Sequence, residues 1–263
     1  MDNIVITSKD NEKIKEIKKL KDKKYREETN LFVVEGIKIV KEAIEYDADI
    51  QKIVISNDAI GYEVDEDVLK IIQKYEVMIV SQNVFESISD VKTPQGILAV
   101  IKNKENVKVD YNEDVIFILD NIQDPGNLGT IIRTLDAAGI KQLIVSNDTV
   151  DYMSPKVLRS TMGGAFRVNV IVADDLLNMI DEIKKNGFEV AVTDLATDKS
   201  IYDVDYSKKA IVIGNEANGV SDEVKNKADI RVKIPMLGKA ESLNAAVATS
   251  VIAYEYVRQK LSK

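Results

Sequence analysis

The chain has 263 residues, 45% of them apolar and 30% charged, with a net charge of −8. That length holds one large domain or two ordinary ones with packed cores. The absence of both cysteine and histidine excludes disulfides, thiolate nucleophiles, Ser-His-Asp and Cys-His chemistry, and the commonest metal ligands.

Catalysis must therefore draw on Asp, Glu, Lys, Arg, Ser, Asn, Tyr or the backbone, and no metal is expected. No apolar run approaches the ~20 residues of a membrane helix. The N-terminus turns charged at Lys9 without an apolar signal segment, so a cytoplasmic protein without membrane contact is expected.

In chain order, the first element is basic. Nine Lys/Arg stand against four acids between Lys9 and Arg26, a net +5 in an acidic protein. Such asymmetry fits a phosphate-binding footprint, and it also fits a solvated helix face. Ile14, Ile17 and Leu20 put a narrow apolar stripe on this segment, which predicts a helix. Strands are expected at 31–34, 50–56, 77–81 and 97–101, with helical segments near 37–44, 64–74 and 84–88. This alternation predicts three-layer α/β packing over the first hundred residues. The polar stretch 102–114 reads as a linker.

The second half opens with the strand 115–119. Helices are expected at 128–138, 155–162, 174–185 and 242–261, and strands at 142–146, 168–172, 188–193, 210–213 and 231–234. Near-continuous Val, Ile and Leu in these strands suit a parallel sheet covered on both faces.

Three segments at or past strand ends could carry chemistry, because ligands of open α/β sheets bind at the carboxyl ends of strands. In Asn121–Arg133, Pro125-Gly126-Asn127 makes a tight turn, with Asn127 placed to cap the next helix. Arg133 follows among buried neighbours, which sends its guanidinium to an edge or cleft. In Gly214-Asn215-Glu216-Ala217-Asn218-Gly219, two glycines and two asparagines mark backbone conformations that other residues adopt poorly. Ile234-Pro235-Met236-Leu237-Gly238 is an apolar loop that an adenine ring would fit. Glu241-Ser242-Leu243-Asn244 then starts a helix of small residues. Neither G-x-G-x-x-G nor a Walker lysine is present, which weighs against a Rossmann-type nucleotide enzyme.

Together these residues resemble the SpoU (TrmH-type) ribose 2′-O-methyltransferases of the SPOUT superfamily. Asn121, Asp124-Pro125, Asn127, Gly129 and Arg133 match the first motif; Gly214-Asn215-Glu216 the second; Ile234-Pro235-Met236 and Ser242-Leu243-Asn244 the third. Ser154-Pro155-Lys156 through Phe166 is similar to the family's central stretch. The N-terminal half, with Phe32-Val33-Val34-Glu35-Gly36, resembles an RNA-binding domain akin to kink-turn-binding ribosomal proteins. Leu135 and Ile122 depart from the commoner motif residues without removing a functional atom.

The resemblance implies an α/β protein with a smaller N-terminal RNA-binding domain (1–104) and a C-terminal parallel-sheet domain (105–263) tied in a deep trefoil knot. It implies an obligate homodimer that methylates RNA from S-adenosylmethionine, with large-subunit ribosomal RNA the first choice of substrate. A tRNA enzyme, a resistance methyltransferase and a catalytically inactive ribosome-assembly dimer are the alternatives. Gly214, Ile234, Leu243, Met236, Asn215 and Thr193 are the expected cofactor contacts. Arg133 is the expected central catalytic residue, with Glu216 to orient it or take a proton through water, and Asn121, Ser242 and Asn244 to hold the ribose and the loops. Lys9, Lys13, Lys23, Lys24, Arg26 and Arg133 are the expected RNA contacts.

Overall fold

The computed structural model describes residues 5–105 and 107–262. The start of the chain before Val5, Asn106 in the linker and Lys263 in the basic tail lie outside the described residues. The chain divides into two compact units. One is formed by the residues up to Glu105 together with Met153–Phe166, the other by the remainder.

In the first unit the basic segment forms two helices instead of one, α1 (Glu12–Lys19) and α2 (Lys23–Thr29). Asn11 caps α1, and the break comes where Asp22 caps α2 by accepting from the Tyr25 amide at 3.3 Å. Then follow β1 (Leu31–Glu35), α3 (Ile37–Glu45), β2 (Asp49–Ser56), α4 (Glu66–Ile72), β3 (Val77–Val80), α5 (Gln82–Ile88) and β4 (Ile97–Lys102). The helix expected from Val64 is shorter because Asp65 caps α4 through the Val68 amide. The sheet runs β1-β4-β2-β3, with β4 antiparallel to β1 and β2, and β2 parallel to β3. Ile14, Ile17 and Leu20 pack with Val54, Phe85 and Leu98 in one core.

Arg26 belongs to that fold and not to its surface. It is 3% exposed, and its guanidinium donates to the Leu20 and Lys21 carbonyls at 2.7 and 2.8 Å. The expectation of an RNA contact at Arg26 is therefore corrected: it clamps the turn between α1 and α2. Arg26→Met keeps the apolar stem and leaves those carbonyls without their charged donor. We expect a loss of about 1–3 kcal/mol, read from urea unfolding, with unchanged RNA affinity of the folded protein.

The second unit contains β5 (Val115–Asp120), α6 (Pro125–Ala137) and β6 (Gln142–Ser146). The intervening α7 (Pro155–Thr161) packs in the first unit against β1. The second unit resumes with β7 (Asn169–Ala173), α8 (Leu176–Lys185), β8 (Glu189–Thr193), β9 (Lys209–Gly214), α9 (Asp222–Lys227), β10 (Ile230–Val232) and α10 (Ala245–Leu261). All six strands are parallel, in the order β10-β8-β9-β5-β6-β7.

Both faces of this sheet are covered, so every residue of β5, β6 and β9 is buried. Ile116, Ile118, Val190 and Val212 pack with Ile180 and Ile183 of α8 and Val224 of α9. On α6 and α10, which pack on each other, the Thr134 and Ser250 hydroxyls meet at 3.2 Å. Near the end of α10 the Arg258 guanidinium forks onto Glu255 at 2.7 and 2.8 Å, which holds that buried carboxyl below the usual carboxylate range.

One further expectation changes. The second half of the 102–114 stretch is docked: Val107, Val109 and Tyr111 pack on the sheet core, and Asp110 and Gln142 exchange hydrogen bonds at 2.8 and 2.9 Å. The short helix α9 buries only Val224 of its six residues, so no apolar period marks it in the sequence.

Candidate active site

The carboxyl ends of β8, β9 and β10 open on a cavity of about 430 Å³, within the range of small-molecule sites. Thr193, Gly214, Asn215, Ile234, Met236 and Leu243 all line it, as do Glu216 and Ser242. Four segments separated along the chain thus meet at one place.

Gly214 is required by a close approach of two backbones. A Cβ there would lie 2.0 Å from the Gly219 carbonyl carbon and 2.1 Å from the Val220 nitrogen. The Gly214–Val220 loop closes on itself through paired Asn215 and Gly219 hydrogen bonds of 3.0 and 2.8 Å. The Asn215 side chain pins it further, accepting from the Ala217 amide at 2.8 Å and donating to the Asn121 carbonyl at 2.9 Å.

The cavity wall carries both signs of charge, with Asp194 and Glu241 against Lys225 and Lys233, and apolar surface from Leu195, Ile213, Ile234 and Met236. This donor set and the glycine-lined backbone suit S-adenosylmethionine, which combines a flat adenine, a ribose and a zwitterionic amino-acid tail.

The polar side chains beside the cavity differ from the expectation in their partners. Asn127 does not cap α6; Asp124 does, accepting from the Asn127 amide at 2.8 Å. This lets the helix begin at Pro125, three residues earlier than expected, and frees the Asn127 side chain. Its amide donates to Glu216 Oε1, and its Oδ1 accepts from Asn244 Nδ2 at 3.0 Å. One asparagine therefore ties all three motifs together. Asn244 also caps α10, accepting from the Ala246 and Val247 amides, so this helix starts at Ala245 and not at Ser242.

Glu216 is held by Asn127 and not by Arg133, so the expectation that Glu216 orients Arg133 is not met. Arg133 is exposed on α6 between buried Ile132 and half-buried Thr134, and it makes no hydrogen bond or ion pair among the described residues. Asn121, with φ +60°, lies outside this cavity: its amide donates to Ser146 Oγ at 2.9 Å and its side chain accepts from Gln123.

In the first unit, Lys9 is exposed, Lys13 pairs with Glu76 at 3.1 Å, Lys23 with Glu27 at 3.6 Å and Lys24 with Glu28 at 3.8 Å. Exposed pairs of this kind contribute about 0–1 kcal/mol, so they hold these lysines only weakly.

Residues 114–254 match the model of the SpoU rRNA methylase family, and residues 11–99 match that of the MRM3-like substrate binding domain. The chain belongs to the SpoU rRNA methylase family. It is 35% identical over 250 residues to the 23S rRNA (guanosine(2553)-2′-O)-methyltransferase RlmP of Bacillus subtilis, covering 95% of this chain and 97% of that one. An AdoMet-bound rRNA methyltransferase from Sinorhizobium meliloti superposes with a TM-score of 0.85 at 30% identity, covering 97% and 98% of the two chains. The SpoU methyltransferase AviRb from Streptomyces viridochromogenes, in complex with AdoMet, gives 0.84 at 25% identity, covering 96% and 99%. As a SpoU member the chain is an RNA methyltransferase that uses S-adenosylmethionine.

The bridging role of Asn127 was missed by sequence reasoning, which spent this residue on a helix cap. The signal was there: Asp124 stands one residue before Pro125, and proline favours the first helical position after a cap.

Proposed function

We propose that this SpoU member methylates a ribose 2′-hydroxyl of 23S ribosomal RNA in the cytoplasm, working as a homodimer. Residues 1–104 engage the RNA and residues 105–263 form the catalytic domain, knotted through its cofactor loops. The observation that carries the reading is the cavity at the ends of β8, β9 and β10, which gathers all six residues proposed as cofactor contacts.

The segment 199–201 runs parallel to Lys233 beside the cavity: the Ile201 amide donates to the Lys233 carbonyl and the Lys233 amide to the Lys199 carbonyl, both at 2.9 Å. The dimer reading is supported by α10, which exposes Val247, Tyr254 and Leu261 at seven-residue spacing, an apolar stripe suited to a second copy.

When bound, S-adenosylmethionine supplies a methyl group on a sulfonium, whose C–S electron pair stays on sulfur as the new C–O bond forms. The protein must align the 2′-oxygen and manage its proton. Alignment alone is worth ~7–11 kcal/mol of barrier. Arg133 is too weak a base to take the proton; its free guanidinium clamps the RNA phosphate and the developing alkoxide. Glu216 has one oxygen engaged by Asn127 and one without a partner among the described residues, and that free oxygen receives the proton, directly or through a water. Ser242 and Asn121 border the ribose, and Asn244 holds Asn127.

The test is a map of 2′-O-methyl groups in total RNA from cells with and without the gene, followed by remethylation of the deficient RNA with purified protein and S-adenosylmethionine. One restored position in 23S rRNA is expected. Restoration only in tRNA, or none despite cofactor binding, overturns the reading in favour of a tRNA enzyme or an inactive assembly factor.

A further inference from the structure

S-adenosylmethionine brings one anionic group and two cationic ones: the carboxylate of its amino-acid tail against the tail ammonium and the sulfonium. The charged side chains in the wall of the cavity are not equally free to meet them. Asp194 already accepts from the Ala196 amide at 3.0 Å and the Arg231 guanidinium at 3.2 Å, and Glu216 is bonded to Asn127. Lys233 donates to Asp198 at 3.3 Å.

Lys225 is different. It lines the same cavity from α9, and its side chain is only 21% exposed. The one carboxylate within 4 Å of it among the described residues is Asp222, at 3.7 Å, and that side chain is itself 92% exposed. Lys225 Nζ makes no hydrogen bond among the described residues. A largely desolvated ammonium therefore faces the cavity with a weak counter-charge.

The backbone fixes where this lysine emerges. Its amide donates to the Ser221 carbonyl at 2.9 Å, and its neighbour Val224 is buried in the sheet core. Helix α9 starts just after the Gly214–Val220 loop ends, so the ammonium rides on the same stretch of chain that walls the cavity.

Burying a charge is unfavourable until an opposite charge meets it, and a carboxylate reaching an ammonium forms a charge-assisted hydrogen bond. Neither adenine nor ribose can offset the Lys225 charge, and the sulfonium and tail ammonium are repelled by it. The tail carboxylate is the one group of the cofactor that suits this position.

We propose that Lys225 receives the carboxylate of the cofactor's amino-acid tail, and that this contact selects S-adenosylmethionine over adenosyl compounds lacking that group. The proposal rests on the reading of this cavity as the cofactor site.

The test is titration calorimetry of the full-length protein with S-adenosylmethionine and with its decarboxylated form, which lacks only the carboxylate. The parent is expected to bind S-adenosylmethionine about ten-fold or more tightly, the range of a hydrogen bond between charged groups. Lys225→Met keeps the apolar stem and should erase that preference. It should weaken S-adenosylmethionine and strengthen the decarboxylated form, whose ammonium no longer faces a like charge. A merely structural role would weaken both ligands alike. Lys225→Arg keeps the charge and should recover part of the preference.

No preference in the parent, an unchanged preference in Lys225→Met, or an equal loss for both ligands overturns the proposal. Gly214→Ala in the same series tests the cavity itself. Parent-like binding of both ligands by Gly214→Ala overturns the reading of the cavity. Lost binding there, beside an unchanged preference in Lys225→Met, overturns the role of Lys225 alone.

Discussion

Replacing Gly214 with alanine is expected to abolish cofactor binding, with at least a hundred-fold loss of affinity for S-adenosylmethionine by titration calorimetry. The added methyl would overlap the Gly219 carbonyl carbon and oxygen and the Val220 nitrogen, at 2.0, 2.2 and 2.1 Å. These are backbone atoms, so no rotamer relieves the clash. Ordinary overpacking costs about 1–3 kcal/mol, and the relief available here is displacement of the Asn215–Gly219 loop that walls the cavity.

Gly219 is the control. It has φ +68° and nothing within 4 Å of a built Cβ, so Gly219→Ala carries only left-handed strain, about 1–2 kcal/mol, and should bind the cofactor measurably. Equal affinity for Gly214→Ala and the parent protein would show that this loop is not a cofactor wall.

Arg133→Ala should separate binding from turnover. Arg133 does not line the cavity at the ends of β8, β9 and β10 and has no partner among the described residues, so affinity for S-adenosylmethionine should stay within two-fold of the parent. Removing a charged donor from a developing oxyanion typically costs about 10²–10³ in rate, and single-turnover methyl transfer should fall by that amount. Arg133→Lys keeps the charge and loses the planar fork, so it should recover only part of the rate. If Arg133→Ala turns over at the parent rate while Glu216→Ala is dead, the roles assigned to the two residues are reversed.

The parallel sheet was legible because its strands are buried on both faces and read as unbroken Val/Ile runs, such as Val115–Leu119. The meeting of these loops at one cavity was legible for a related reason: a glycine at the end of a buried strand, an asparagine-rich turn and a proline-stopped apolar loop are local features.

What failed were readings in which the choice of partner for a polar side chain decides, whether that partner is near in the chain or far along it. Arg26 lies among exposed lysines in sequence, and only the fold aims it at the Leu20 and Lys21 carbonyls. Asn127 has two plausible uses, and the choice depends on Glu216 and Asn244. The break between α1 and α2 was missed because Asp22 was counted as one charge among many and not as a cap.

The Asn244–Asn127–Glu216 chain spans separations of 117 and 89 residues. Contacts of that range need the intervening chain to be brought together first, and they form late when a protein folds. Asn244 sits only at the entrance to the last helix, so a ribosome-bound chain that has not yet exposed it has no finished centre, however complete its sheet.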